Sequence, residues 1–134
     1  MRIAARLAPA LDVRVIAGIT SVQALTAAHA IPVNTVNGPV TISTGRQLRE
    51  HGWPAGCETL VVMLDGQCSF QDLDGDGFDI WWGAFLGMQE QCLVAGRLAD
   101  VADQIVATRA EARAAHGWIM DTYLLRPRPD AHSA

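Results

Sequence analysis

Thr59-Leu60-Val61-Val62-Met63-Leu64, followed at once by Asp65-Gly66, decides the architecture. Six residues run without a charge and without polar alternation, which suits a strand buried on both faces. Asp65-Gly66 is a turn signal that ends it. A strand covered on both sides needs a further layer above and below it, and the neighbouring sequence supplies candidates for both.

Towards the amino terminus, Val40 to Ser43 reads as a second strand. Thr44-Gly45-Arg46 follows it and opens a short helix to His51, and Trp53-Pro54-Ala55-Gly56 is a loop. Earlier still, Thr20-Ser21 opens a helix through Ala30. The hydroxyls can cap it, Val22, Leu25 and Ala28 mark one face, and Ile31-Pro32 ends it. Val13 to Ile16 is a short β-rich run ending at Gly18, and Ile3 to Leu11 reads as the last turns of a helix with no N-cap before it.

Towards the carboxyl terminus, Ile80 to Phe85 and Gln91 to Ala95 are strands on either side of Gly87. They lie too close together for a helical crossover, so they pair antiparallel. Asp100 to Ala115 is a helix with Leu98, Val101, Ile105 and Ala112 on one side and Asp103, Arg109, Glu111 and Arg113 on the other. Ile119 to Leu125 is a final strand, and Pro127 to Ala134 a solvated tail. The expected fold class is α/β: a mixed β-sheet flanked by helices.

Composition narrows the function classes. Of 134 residues, 50% are hydrophobic and 18% charged, a globular balance that disorder would reverse. Net charge is −4 and the ten basic residues, all Arg, are scattered, which argues against a nucleic-acid partner. No apolar run reaches the roughly 18 residues of a membrane span. Arg6 and Pro9 interrupt any leader-like stretch at the amino terminus, and Asp12 follows. Cys57, Cys68 and Cys92 are odd in number and lack CxxC spacing, so the expectation is a reducing cytoplasm with neither a disulfide framework nor a zinc site.

Several motif-like stretches read as ordinary structure. Asp72 to Gly77 imitates the start of a calcium loop, but its twelfth position is Gly83, where a bidentate Glu is required, so an acidic surface turn is expected. His51, Cys57 and Cys68 lack ligand spacing, and no metal is expected. Ser21, Ser43 and Ser69 are not in a GxSxG setting. Trp81-Trp82 reads as core, and Arg126-Pro127-Arg128-Pro129 as a free tail. Ala17-Gly18-Ile19-Thr20-Ser21-Val22-Gln23-Ala24 is different: a strand end, a glycine turn and a hydroxyl-rich helix start, which offers unpaired N–H groups to a ligand.

Taken in order, these segments resemble the tetrapyrrole methylase family. The family's Pro-Gly-Ile/Val-Thr/Ser-Ser/Ala turn matches Ala17 to Ser21, with Ala17 in place of Pro. Ile31-Pro32-Val33-Asn34, Thr44-Gly45 and Thr59 to Leu64 look like its next three landmarks. Val62 to Gly66, Trp82 to Gly87, Ala95 to Leu98 and His116 to Tyr123 look closest to a precorrin methylase of cobalamin synthesis.

The resemblance implies two α/β domains with S-adenosyl-L-methionine between them, of which residues 1–126 are the carboxy-terminal domain and 127–134 a flexible tail. The family's Gly-x-Gly-x-Gly-Asp turn has no counterpart here, so the expectation is a fragment inactive alone, whose partners are a precorrin, the missing amino-terminal domain or a split partner, and a second copy in a homodimer. Thr20 and Ser21 match donor-contacting positions, Leu64 a largely main-chain contact, and Phe85, Leu86 and Gly87 another. Arg46 and Arg97 are candidates to pair with substrate carboxylates, with plain surface solvation as the alternative. Asp65 is a candidate to assist water attack in a methylation that releases acetate. Half of another precorrin or uroporphyrinogen methylase, or a binding or dimerisation module that kept only the fold, are the alternatives.

Overall fold

The computed structural model describes residues 12–129. In chain order the elements are α1 (Ser21–Ala28), β1 (Val40–Thr44), α2 (Gly45–His51), β2 (Thr59–Met63), a 3-10 turn (Ser69–Asp72), β3 (Phe78–Ala84), β4 (Cys92–Arg97), α3 (Leu98–His116) and β5 (Asp121–Pro127). The five strands form one mixed sheet in the order β1-β2-β5-β3-β4. β1 and β2 are parallel, and every other pair is antiparallel.

Strand alternation divides the sheet into two faces. Leu60 and Val62 of β2, Tyr123 and Leu125 of β5, and Ile80 and Trp82 of β3 point to one side, where α2, the 3-10 turn and α3 close the larger core. Leu98, Ile105 and Ala112 of α3 recur every seven residues and form its buried seam, and Gly117 ends the helix at a left-handed φ of 74°. Val61 and Leu124 point to the other side, where Val22 and Leu25 of α1 cover them together with half-buried Trp81, Met63 and Leu86. β2 is therefore buried on both faces, as its unbroken apolar run requires.

Several expectations change. Val13 to Ile16 is not a strand: residues 12–20 carry no regular structure, and Val13, Val15 and Ile16 are exposed. An extended segment becomes a strand only through a partner's hydrogen bonds, and no described strand pairs with this one. The chain beyond Pro127 is not free at once. The Arg128 N–H donates to the Gly77 carbonyl at 2.8 Å, and its guanidinium pairs with Asp79 at 2.7 Å. Helix α1 stops at Ala28, two residues early, and Ala30 takes a φ of 53°. Trp82 is core, whereas Trp81 is half-buried beneath the Arg126 guanidinium, 5.3 Å from its ring centre. The helix expected over Ile3 to Leu11 and the tail beyond residue 129 lie outside the described residues.

Candidate functional site

β1 and β2 are parallel, and β2 and β3 both run antiparallel to β5, so the carboxyl ends of β1, β2 and β3 lie along one edge of the sheet. The start of β5 fits between the last two. Met63 faces Thr122 on one side of it, Gly83 faces Thr122 on the other, and Ala84 faces Asp121. Along this edge stand Thr44-Gly45-Arg46, Leu64-Asp65, Phe85-Leu86-Gly87 and Met120-Asp121-Thr122. In open α/β sheets the carboxyl ends of strands are where loops converge on ligands.

Helix α1 brings its first turn over the same edge. Thr20 is its N-cap, with its hydroxyl oxygen accepting from the Gln23 N–H at 3.4 Å. A cavity of about 190 Å³ lies between Ile19, Thr20, Ser21 and Ala24 of this turn, Phe85, Leu86 and Met88 after β3, and Met120 and Thr122 of β5. A second, more open groove of about 460 Å³ shares Thr20 and runs along Val22, Val33, Val40, Ile42 and Met63. Ile19 (86% exposed) and Leu64 (85%) stand out from this end of the sheet, and Met88 and Met120 are also exposed.

Two strand ends here share an unusual backbone. Leu64 follows β2 with a φ of 53°, and Phe85 follows β3 with a φ of 50°. Neither is glycine, and a left-handed Leu or Phe is disfavoured by contact of its Cβ with the backbone. In each case the face alternation is reversed. Leu64 would continue the Leu60 and Val62 side of β2 but is exposed, and it is Asp65 that enters that core beside Tyr123. Phe85 would continue the Trp81 side of β3. Instead its ring sits edge-on to His116 and Trp118, 4.9 and 5.1 Å away, on the opposite side, while Leu86 joins the α1 core. The Phe85 N–H donates to the Met120 carbonyl at 3.0 Å, which ties this bend to the start of β5.

Asp65, only 5% exposed, is a hub. Its carboxylate accepts from the Tyr123 hydroxyl (2.7 Å), the Ser69 N–H (2.6 Å) and hydroxyl (2.7 Å), the Gln67 N–H (3.3 Å) and Arg49 (3.2 Å). Burial alone would raise its pKa, but the hydrogen bonds from Tyr123, Ser69 and Gln67 outweigh burial and hold it below the ordinary 3.8. Burial, together with the adjacent Asp65 charge, pushes the Tyr123 phenol far above its usual range. With its oxygens committed to these donors, Asp65 is built as an anchor and not as a free base. Because its folded-state pKa is depressed, its contribution to stability is complete above the unfolded value, about 3.9, and is lost as pH falls through the lower folded one. Urea unfolding followed from pH 6 down to pH 2 is expected to show wild type losing stability more steeply than Asp65→Asn below about pH 4.

The two arginine candidates separate. Arg46, in the first turn of α2, stands at the edge that carries the cavity, with its guanidinium exposed and 2.8 Å from Glu50. Arg97 ends β4 opposite Asp79, five residues along β3 from Ala84, or roughly 17 Å at strand spacing. It is engaged there with Asp76 at 3.1 Å and Asp100 at 2.6 Å, so the sheet does not bring it to the cavity. Gly87 closes the Phe85-Leu86 bend with a φ of 77°, and its N–H donates to the Gln91 side chain at 2.9 Å. Sequence reasoning did not single out Met88, Met120 or Thr122 as site residues; the last two reach the cavity through the insertion of β5 between β2 and β3. Among the described residues no group of His, Cys, Asp or Glu side chains is arranged to hold a metal, and no helix is long and apolar enough to cross a membrane.

A precorrin-6A synthase (deacetylating) from Sinorhizobium sp is 50% identical over 129 residues, which is 96% of this chain and 49% of that protein. A crystal structure of a cobalamin synthesis related protein (CobF) from Corynebacterium diphtheriae superposes with a TM-score of 0.80 at 46% identity, covering 86% of this chain and 48% of that one. A uroporphyrin-III C-methyl transferase from Thermus thermophilus, solved with S-adenyl homocysteine, shares the fold with a TM-score of 0.57 at 18% identity, over 90% of this chain and 53% of that one. The chain thus spans about half the length of the relatives it matches. The sequence model of tetrapyrrole (corrin/porphyrin) methylases matches residues 1–102, most of the 134, and the chain belongs to that family.

Proposed function

We propose that this chain supplies one wall of the donor site of a precorrin methyltransferase that uses S-adenosyl-L-methionine. The reaction is that of precorrin-6A synthase (deacetylating), which methylates precorrin-5 and releases acetate to give precorrin-6A. One observation carries the reading: Thr20, Ser21, Phe85 and Leu86, spread over 67 positions of sequence, line one cavity at the sheet edge, and Leu64 and Gly87 follow strand ends at that same edge.

The residues present suit such a donor. A sulfonium cation with an adenosyl group and a carboxylate needs apolar surface with a few polar groups fixed in place. Here Ile19, Leu86, Met88 and Met120 provide the apolar surface, and the hydroxyls of Thr20, Ser21 and Thr122 the polar groups. The first turn of α1 adds backbone N–H groups that favour an anionic end. When bound, the donor supplies an electrophilic methyl group. The protein's task is to hold that methyl in line with the accepting carbon and to exclude water, which the apolar rim serves.

The cavity of about 190 Å³ is smaller than the roughly 300–1,000 Å³ that encloses a small-molecule ligand, and the groove of about 460 Å³ beside it lies open and does not enclose one. This supports a single wall, with the rest of the cleft and the macrocycle floor on the half of the relatives' length that this chain does not span. Arg46 is the better placed of the two arginines to meet a substrate carboxylate. A cytoplasmic setting accords with Cys57, Cys68 and Cys92 all being free thiols.

Titration of the ¹⁵N-labelled chain with S-adenosylhomocysteine tests the reading. Amide shifts at Thr20, Ser21, Leu64, Phe85, Leu86 and Gly87, growing without saturation at micromolar ligand, are expected. Saturation at micromolar ligand would mean a self-sufficient pocket, and shifts confined to other residues would move the site.

A further inference from the structure

We infer that Asp65 is a positioning residue for the donor wall: its buried carboxylate reverses the chain at the end of β2 and thereby holds Leu64 out towards the cleft. The inference rests on the donor reading above and adds to it a residue that touches no ligand.

At the end of β2 the chain departs from the arrangement that burial of apolar surface would favour. Regular alternation along β2 would bury Leu64 beside Val62 and turn Asp65 away from Tyr123. That would hide a large apolar side chain and spare a carboxylate its burial. The chain does the reverse, leaving Leu64 85% exposed in a left-handed conformation and placing Asp65 inside. Non-glycine residues held in left-handed conformations persist where the surroundings over-determine them, and they cluster at functional sites.

Nothing about the exposed Leu64 side chain favours the bend. Asp65 does. Only with alternation reversed does its carboxylate reach the Tyr123 hydroxyl on β5, the Ser69 N–H and hydroxyl in the 3-10 turn, and Arg49 on α2. Three elements behind the sheet edge are thus fastened to the residue next to Leu64. Arg49 also donates to the Ser69 hydroxyl at 2.6 Å, so the partners are braced against each other. The network fixes the backbone direction at Leu64, and that direction decides whether its main chain and side chain face the cleft or the core.

The test compares wild type with Asp65→Asn by nuclear magnetic resonance, first without ligand and then with S-adenosylhomocysteine. In the variant, the backbone couplings and carbon shifts of Leu64 are expected to leave the left-handed range. Its response to ligand is expected to be lost, while Thr20 and Ser21 respond as in wild type. Tyr123→Phe removes one donor and keeps the others, and it serves if Asp65→Asn does not fold; Leu64 then shifts part of the way. A Leu64 that stays left-handed and responds equally in the variants, with only the melting temperature lowered, would overturn the positioning role. Silence at Thr20, Ser21 and Leu64 in wild type would instead overturn the donor reading, and this role with it.

Discussion

Gly45→Ala is expected to destabilise the chain by about 2–4 kcal/mol, against the usual sign for that substitution in a helix. Alanine is preferred to glycine within a helix by about 1 kcal/mol, and Gly45 is the first residue of α2. A Cβ built there, however, would lie 2.2 Å from Asp65 Oδ1, 2.3 Å from its Cγ and 2.5 Å from its Cβ. A flexible surface side chain would move aside. Asp65 cannot do so cheaply, because withdrawing it breaks hydrogen bonds to Tyr123, Ser69 and Arg49 at once and leaves buried polar groups unpaired, at about 1–3 kcal/mol each. The other escape, sliding α2 away from the end of β1, opens the core around Leu48. Either cost exceeds the helix-propensity gain. Urea unfolding at pH 7 decides the matter: a more stable Gly45→Ala would mean that the carboxylate network yields far more easily than its geometry implies.

The same glycine shows what a sequence carries and what it does not. Thr44-Gly45 was legible as a strand end and a helix start, because hydroxyl caps and strand-to-helix transitions are local. The Thr59 to Leu64 run announced a doubly buried strand for the same reason, and α3 declared its seam through Leu98, Ile105 and Ala112. The short spacing about Gly87 correctly implied the antiparallel pairing of β3 with β4. The need for glycine at position 45 was not legible. It depends on a carboxylate twenty positions away, which turns inwards only because Leu64 adopts a left-handed conformation. Nothing in the letters Met63-Leu64-Asp65 marks such a bend, since the residues that usually mark one are Gly and Asn. The insertion of β5 between β2 and β3 is likewise a long-range choice, and with it go Met120 and Thr122 at the cavity. Val13 to Ile16 had strand composition without a strand partner, and composition does not provide one.

A second carboxylate, that of Asp121, has a side chain only 9% exposed next to the cavity-lining Met120 and Thr122, and Arg109→Met is expected to cost about 3–5 kcal/mol because of it. Asp121 Oδ2 accepts from Arg109 Nε at 3.1 Å and from the Trp82 indole N–H at 3.0 Å, and the side chains of Arg109 and Asp121 are only 11% and 9% exposed. Methionine preserves much of the arginine stem's packing, so the loss isolates the charge. It leaves an almost dry carboxylate with the indole as its one remaining partner in this network. Asp121→Asn should cost less, because its amide oxygen can still accept from both donors. The double variant, Arg109→Met with Asp121→Asn, should then lie well short of the sum of the two single losses, since no unpaired carboxylate remains buried. Strictly additive losses in urea unfolding would mean that the pair is not formed in solution. The consequence reaches the candidate site because Asp121 sits between Met120, whose carbonyl accepts the Phe85 N–H, and Thr122, which lines the cavity. Breaking the tie from α3 should therefore speed hydrogen exchange at the Phe85 amide more than at the amides of β1, which β2 separates from β5 in the sheet. Uniform acceleration would instead indicate that α3 stabilises the whole sheet without a particular hold on the Phe85 bend.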